Sequence, residues 1–310
     1  MTRVLVTCAQ MKESLPDLKP ELAELGWDVL APELTGQQFS ENELIELLPG
    51  VAGVIAGDDP FTRRVLDSAR DLKAISKWGV GIDGIDTDAA KEFGIGVTRT
   101  PDMFGDEVAD VAIGYLICLA RGLVDIHNSV VQGGWHKPNG YSLRGKKAGI
   151  IGLGDIGCAI AVRAKSLGME VRATDPDEGA QARAGELGIS LVSDVQALDG
   201  VNALFTACPL TPATRGIVSE SVLESLGTPA WLIHVSRGPV VDTTAVTEAL
   251  AAGTLDGAAL DVFPHEPLPL EDALRRVPGV LFGSHNGSHT REATLRTSKR
   301  ALTNLVEVLR

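Results

Sequence analysis

Paired cysteines are missing from this sequence. Cys8, Cys118, Cys158 and Cys208 stand far apart, with neither C-x-x-C nor any metal-ligand spacing. That excludes a disulfide framework, leaves no metal site to expect, and marks the four as reduced, mostly core thiols. Basic excess is missing too: 28 Lys plus Arg face 41 Asp plus Glu, for a formal charge of −13. Such a balance argues against nucleic acid or an anionic membrane as partner. No apolar run is long enough to cross a bilayer, since the most apolar stretch, 108–120, carries Asp110. Residues 1–10 lack the apolar core and cleavage site of a signal peptide. Short-period repeats and low-complexity segments are also absent. What is left is a cytoplasmic, enzyme-sized chain whose 310 residues suit two domains better than one.

Glycine is plentiful, and one group of glycines organises the chain. Residues 148–157 read A-G-I-I-G-L-G-D-I-G: an apolar run suited to a buried parallel strand, then Gly152, Gly154 and Gly157 in G-x-G-x-x-G order. With 34 glycines, chance matches to that pattern are expected, so context decides. Ile156, Ile160, Ala164 and Leu167 recur at helical spacing, Gly168 stops the helix, and 169–174 reads as a strand ending on Asp175. Strand, glycine turn, helix, strand and acid together predict a dinucleotide site. Gly152 allows the tight turn, Gly154 lets backbone approach a pyrophosphate, Gly157 lets helix pack on sheet, and the helix N-terminus faces the anion. Asp175 would hold the adenosine ribose hydroxyls and repel a 2′-phosphate, and Pro176, Asp177 and Glu178 offer no cation to receive one. NAD is therefore expected rather than NADP.

Before this unit, strands at 3–7, 28–30, 51–56, 72–76 and 95–98 alternate with helices at 21–25, 41–48, 62–70 and 87–93, a parallel α/β domain in its own right. Its loop K-W-G-V-G-I-D (77–83) follows a strand, where open α/β sheets bind ligands. Gly79 and Gly81 there either make a turn or turn amides toward an anion such as a carboxylate. Pro101 marks a boundary. Residues 106–131 then read as one long helix whose first half is apolar on nearly every side, to be buried by a second copy of the chain or between the domains. Further strands are expected at 189–192, 201–206, 231–235, 258–261 and 280–282. A closing helix spans 291–310, with Leu295, Leu302, Leu305 and Val306 on one side.

Three reactive residues each lie just past the end of an expected strand: Arg237 after H-V-S, Glu266 after A-L-D-V-F-P-H, and His285 after L-F-G-S. In a doubly wound sheet such positions collect on one edge, the edge that carries the glycine turn. A cation, a carboxylate and an imidazole suit reduction of an oxo acid. Each also has a structural reading: a turn arginine, a polar loop, a strand cap. Asp261, His265 and His289 compete for the same roles.

These segments resemble the D-isomer-specific 2-hydroxyacid dehydrogenases, and most closely their phosphoglycerate-dehydrogenase-like branch in a short form without C-terminal regulatory domains. The resemblance rests on L-K-A-I-S-K-W-G-V-G-I-D-G-I-D (72–86), D-E-V-A-D (106–110), G-I-I-G-L-G-D-I-G (149–157), P-L-T-P-A-T-R-G (209–216), H-V-S-R-G-P-V-V-D (234–242), A-L-D-V-F-P-H-E-P-L (259–268) and S-H-N-G-S-H-T (284–290). It implies two Rossmann-like, flavodoxin-like α/β domains with doubly wound parallel sheets: a discontinuous substrate domain, 1–100 plus 287–310, and an NAD-binding domain, 101–286. It implies a catalytic trio of Arg237, Glu266 and His285. NAD contacts would come from Asp155, Ile156, Asp175, Cys208, Pro209, Val235 and Asp261 besides the glycines. Substrate contacts would come from Lys77, Trp78, Val80 and Gly81, with backbone at Val80 and Gly81 receiving a carboxylate. A homodimer through helix 106–131 is expected.

The sequence departs from that pattern at Ser284, where proline is usual, and at Asn286 and His289, where small or apolar residues are common. Lys77 stands where phosphoglycerate dehydrogenases carry arginine, so a cation for a second anionic group remains. Ala56 falls where a further phosphate-binding arginine is expected, which counts against phosphoglycerate unless Arg63, Arg64 or Arg99 compensates. The expected activity is NAD-dependent interconversion of a small 2-oxo acid and its D-2-hydroxy acid, of hydroxypyruvate or glyoxylate type or bearing a phosphate or phosphonate. Oxidation of formate or phosphite and an NAD-sensing, corepressor-like binding role are the alternatives.

Overall fold

The computed structural model describes residues 1–34 and 36–310. The chain divides into two compact units, one made of Met1–Met103 with His289–Arg310 and one of Phe104–Ser288. In the first unit the order is β1 (Arg3–Val6), α1 (Ala9–Ser14), α2 (Lys19–Leu25), β2 (Asp28–Leu30), α3 (Glu41–Leu47), β3 (Gly53–Ala56), α4 (Arg63–Ser68), β4 (Ala74–Lys77), α5 (Thr87–Glu92) and β5 (Gly96–Arg99). Among the described residues these strands form one parallel sheet ordered β2-β1-β3-β4-β5. Its chain order reverses between β1 and β3, and the crevice at the C-terminal ends of two such strands is where this architecture takes ligands. Every residue of β3 and β4 is buried, as strands covered on both faces require. Helix α3 begins in a capping box: Ser40 Oγ accepts from Glu43 N at 3.3 Å while Ser40 N donates to Glu43 Oε2 at 2.7 Å. The short α1 was not legible as a helix, because six residues do not span enough turns to show a period.

The last helix, Arg291–Leu309, belongs to this first unit. Two strand glycines make room for it. A Cβ at Gly53 would stand 2.9 Å from Leu309 Cδ1, and one at Gly96 would stand 2.7 Å from Val308 Cγ1. Its buried face is less apolar than the leucine spacing suggests: Ala293, Thr294, Thr297, Ser298, Ala301, Leu302 and Leu305 are buried, whereas Leu295 and Val306 are half-buried. The small hydroxyl residues accept polar neighbours, as where Trp78 Nε1 donates to Ser298 Oγ at 3.0 Å.

The second unit runs α6 (Gly105–Arg121), α7 (Leu123–Val131), β6 (Lys147–Ile151), α8 (Asp155–Ser166), β7 (Glu170–Thr174), α9 (Ala180–Leu187), β8 (Ser190–Leu191), β9 (Ala203–Thr206), α10 (Glu220–Glu224), β10 (Trp231–His234), α11 (Thr243–Ala252), β11 (Gly257–Leu260) and β12 (Val280–Phe282). Residues 106–131 are therefore not one helix. Gly122 takes a left-handed conformation, φ 59°, ends α6 and starts α7, which glycine does without steric cost. The expected burial all round is also only half met within the chain, where Val108, Ala109, Ala112, Ile113, Leu116 and Ala120 line one buried face.

The parallel sheet of this unit is ordered β12-β11-β10-β9-β6-β7-β8. Register aligns its strand ends: Ile151 pairs with Thr174 and Thr206, Thr206 with His234, His234 with Leu260, and Leu260 with Phe282. Whatever follows each strand is thus delivered to one edge. Leu204, Leu232, Val246 and Leu260 anchor one core cluster beneath it, each stabilising the unit by about 1.5–3 kcal/mol.

Candidate active site

The glycine turn lies at the chain reversal of the second sheet, between β6 and α8. Each glycine has its own reason to be there. Gly152 has φ 95°, and a Cβ on it would stand 2.7 Å from Cys208 N. At Gly157 a Cβ would overlap the Gly152 carbonyl oxygen, whereas at Gly154 it would meet nothing within 4 Å. No side chain caps α8. Open space in front of an uncapped helix N-terminus fits a pyrophosphate, so the residues present suit a dinucleotide. Asp175, just past β7, ties the turn down: its Oδ2 accepts from Leu153 N at 2.6 Å and its Oδ1 from Asp177 N at 2.9 Å. Asp155 and Ile156 open the helix, and the Asp155 carboxylate lies against Gly105. Cys208 is buried, and burial pushes its thiol up to about 11; Val235 is buried and Pro209 exposed.

A cation from outside residues 176–178 does stand beside this acidic turn. Arg183, carried back by α9, donates through Nε to Leu153 O at 2.7 Å and pairs through Nη2 with Asp177 Oδ2 at 2.6 Å. Its spacing from Asp175 gave no warning, because only the turn into α9 brings them together.

Farther along the edge, His285 Nδ1 stands 2.7 Å from Glu266 Oε2, and Glu266 Oε1 accepts from Phe263 N at 2.9 Å. His285 is a non-glycine residue in the left-handed region, φ 56°, a conformation that costs about 1–2 kcal/mol. Its surroundings enforce it. His285 N donates to Asp261 O at 2.7 Å, and the buried Asp261 carboxylate accepts from Gly287 N at 3.0 Å and from Tyr115 Oη at 3.1 Å. Burial and the Asp261 charge push the Tyr115 phenol upward, which keeps it a donor. Arg237, half-buried, donates through Nη1 to Ser236 O at 3.1 Å. The backbone of Gly238 packs so closely on Phe263 and Pro264 that a Cβ would overlap them, which seats the arginine turn on the Glu266 loop. Of the competing residues, His265 is exposed, Asp261 braces the loop, and His289 belongs to the first unit.

His234, at the end of β10, was not singled out from sequence. It is fully buried, its Nδ1 lies 2.6 Å from Thr206 Oγ1, and its Nε2 has no hydrogen-bond partner among the described residues. Burial pushes its pKa down to about 4, so the ring is neutral.

The edge of the first unit's sheet has its own polar set. Lys77 is buried at the end of β4, where its Nζ lies 3.1 Å from Asp58 Oδ1 and donates to Trp78 O at 2.7 Å. Trp78 is buried, and Gly79 N donates to Thr100 Oγ1 at 2.8 Å, whereas Val80 is exposed and Gly81 half-buried. Of the two glycines in that loop, the first therefore makes a turn. Gln10 Nε2 meets His289 Nε2, and Cys8 Sγ donates to Gln10 Oε1 at 3.0 Å. Asp59, largely buried, accepts from Phe39 N at 2.8 Å, from Gly57 N at 3.1 Å and from Thr7 Oγ1. Arg63 and Arg64 are paired on α4, with Glu92 at 2.8 Å and Glu41 at 2.9 Å. None of Asp58, Asp59 or Gln10 belongs to a recognisable motif, and pattern alone does not find them.

Residues 113–287 match the family model described as D-isomer specific 2-hydroxyacid dehydrogenase, NAD binding domain. A glyoxylate reductase of Thermofilum pendens is 35% identical over 258 residues, covering 81% of this chain and 76% of that protein. A D-3-phosphoglycerate dehydrogenase of Methanocaldococcus jannaschii is 32% identical over 313 residues, spanning all of this chain but 58% of that one. Among solved structures, the TT0316 protein of Thermus thermophilus shares 32% identity at a TM-score of 0.86, covering 99% of this chain and 97% of that one. With the glycine turn and the strand-end residues placed as described, the chain belongs to the D-isomer specific 2-hydroxyacid dehydrogenase family, whose nicotinamide-dinucleotide-binding domain it contains.

Proposed function

We propose that this chain is an NAD-dependent oxidoreductase that interconverts a small 2-oxo acid and its D-2-hydroxy acid, working as a cytoplasmic homodimer. The observation that carries the reading is the 2.7 Å pairing of His285 Nδ1 with Glu266 at the edge that also bears Arg237. With Nδ1 held by a carboxylate, the other ring nitrogen is the one that gives a proton to a carbonyl oxygen, and Glu266 stabilises the imidazolium. Arg237 holds the carboxylate of the acid and polarises its carbonyl. When bound, the nicotinamide supplies the hydride. Gly152, Gly154 and Gly157 with the first turn of α8, at Asp155 and Ile156, receive the pyrophosphate, and Cys208, Pro209, Val235 and Asp261 line the rest of that site. Asp175 binds the ribose hydroxyls, and Arg183, already neutralised by Asp177, does not overturn the preference for NAD over NADP. In the first unit, backbone at Val80 and Gly81 receives the substrate carboxylate.

The test is oxidation of NADH by the purified protein with glyoxylate, hydroxypyruvate and pyruvate, run beside NADPH. Turnover of at least one acid, faster with NADH, is expected. Tight NADH binding with no turnover of any of them would favour an NAD-sensing role instead.

A further inference from the structure

We propose that Asp58 sets the substrate class of this enzyme: by neutralising Lys77 and presenting its own carboxylate, it restricts the site to 2-oxo acids with an uncharged distal group. This rests on the proposed oxo-acid chemistry and deepens it. Lys77 is the residue that retains a cation where phosphoglycerate dehydrogenases carry arginine. Its side chain is only 6% exposed and its Nζ is 3.1 Å from Asp58 Oδ1, whereas the Asp58 side chain is 40% exposed. What faces outward is therefore the acid, with the cation behind it.

The surroundings point the same way. The chain reversal between β1 and β3 marks the ligand crevice of the first sheet, and neighbouring strands lie about 4.8 Å apart. A carboxylate held at the loop after β4 thus puts the far end of a three-carbon acid at the end of β3, where Gly57 and Asp58 stand. The donors there are already taken by an internal anion: Gly57 N and Phe39 N, at 3.1 and 2.8 Å, and the Thr7 hydroxyl all serve the Asp59 carboxylate. Next to them, Gln10 and His289 offer an amide joined to an imidazole, a hydrogen-bonding lining for a hydroxyl. The buried Lys77 ammonium is matched by the Asp58 carboxylate at 3.1 Å, so it is not held ready for a phosphate or phosphonate.

Hydroxypyruvate and phosphohydroxypyruvate share a carbon skeleton and differ in the distal phosphate. Their kcat/KM ratio is to be measured for the wild type, Asp58→Asn and Asp58→Asn/Lys77→Met. The wild type is expected to favour hydroxypyruvate. Asp58→Asn should shift the ratio toward the phosphate ester by about tenfold or more, and adding Lys77→Met should cancel the shift. A wild-type preference for the phosphate ester, which needs no variant to fold, would overturn the inference while sparing the oxidoreductase reading. So would an unchanged ratio in a folded Asp58→Asn protein. Failure of the wild type to reduce either acid, or any simpler one, would overturn both together.

Discussion

His285 and His234 are imidazoles at strand ends of one sheet, and their surroundings give them opposite chemistry. The first is paired with a carboxylate and held in a left-handed conformation by the Asp261 carbonyl, an arrangement suited to taking and giving a proton. The second is buried against Thr206 and kept neutral, its pKa lowered from 6.5 to about 4. Between those values the unfolded chain binds a proton that the folded chain refuses. The contribution of His234 to stability is therefore fully present above pH 6.5 and is lost as the pH falls toward 4, about 3 kcal/mol in all. Denaturant unfolding at pH 7 and pH 5 should show part of that loss, and His234→Asn should flatten the slope. An identical slope in the variant would contradict the account. Among single residues, those that follow strands were legible from sequence because position along the chain sets their edge. Arg183 and Tyr115 were not, since their partners lie far off in sequence and nothing local marks them.

The glycine turn shows at the scale of an element how three identical residues do different work. Gly157→Ala drives a methyl group into the Gly152 carbonyl and should destabilise the fold by about 1–3 kcal/mol or more. Gly154→Ala meets open space at φ −82°, so thermal stability should change little while the Kd for NADH rises about tenfold. Calorimetry and fluorescence titration of the two variants separate these effects, and equal loss of stability in both would contradict the assignment. This turn was readable because its backbone demands are local. The break between α6 and α7 was not, because glycine within an apolar helical pattern is compatible with either continuation or a left-handed stop. The last helix was legible as a helix but not in its buried face, where threonine and serine take places that hydrophobic spacing assigns to leucine.

For the whole molecule, the apolar surface on α7 and the segment after it calls for a cover. Val131 is 71% exposed and Trp135 75%, with Leu123, Val124 and Val130 also exposed on α7. Large apolar side chains so grouped support a two-fold interface with a second copy. Sedimentation velocity should find a dimer that Val131→Asp with Trp135→Glu converts to monomer, and a wild-type monomer at micromolar concentration would contradict it. The two parallel sheets followed from strand and helix alternation, but the side of each reactive group did not, and the chemistry hangs on that. The most direct measurement is NADH turnover by wild type and Arg237→Ala with whichever oxo acid the wild type reduces, beside NADH binding by both. Removal of the guanidinium should lower turnover by about a hundredfold or more with NADH binding retained. Unchanged turnover in Arg237→Ala would contradict the site described.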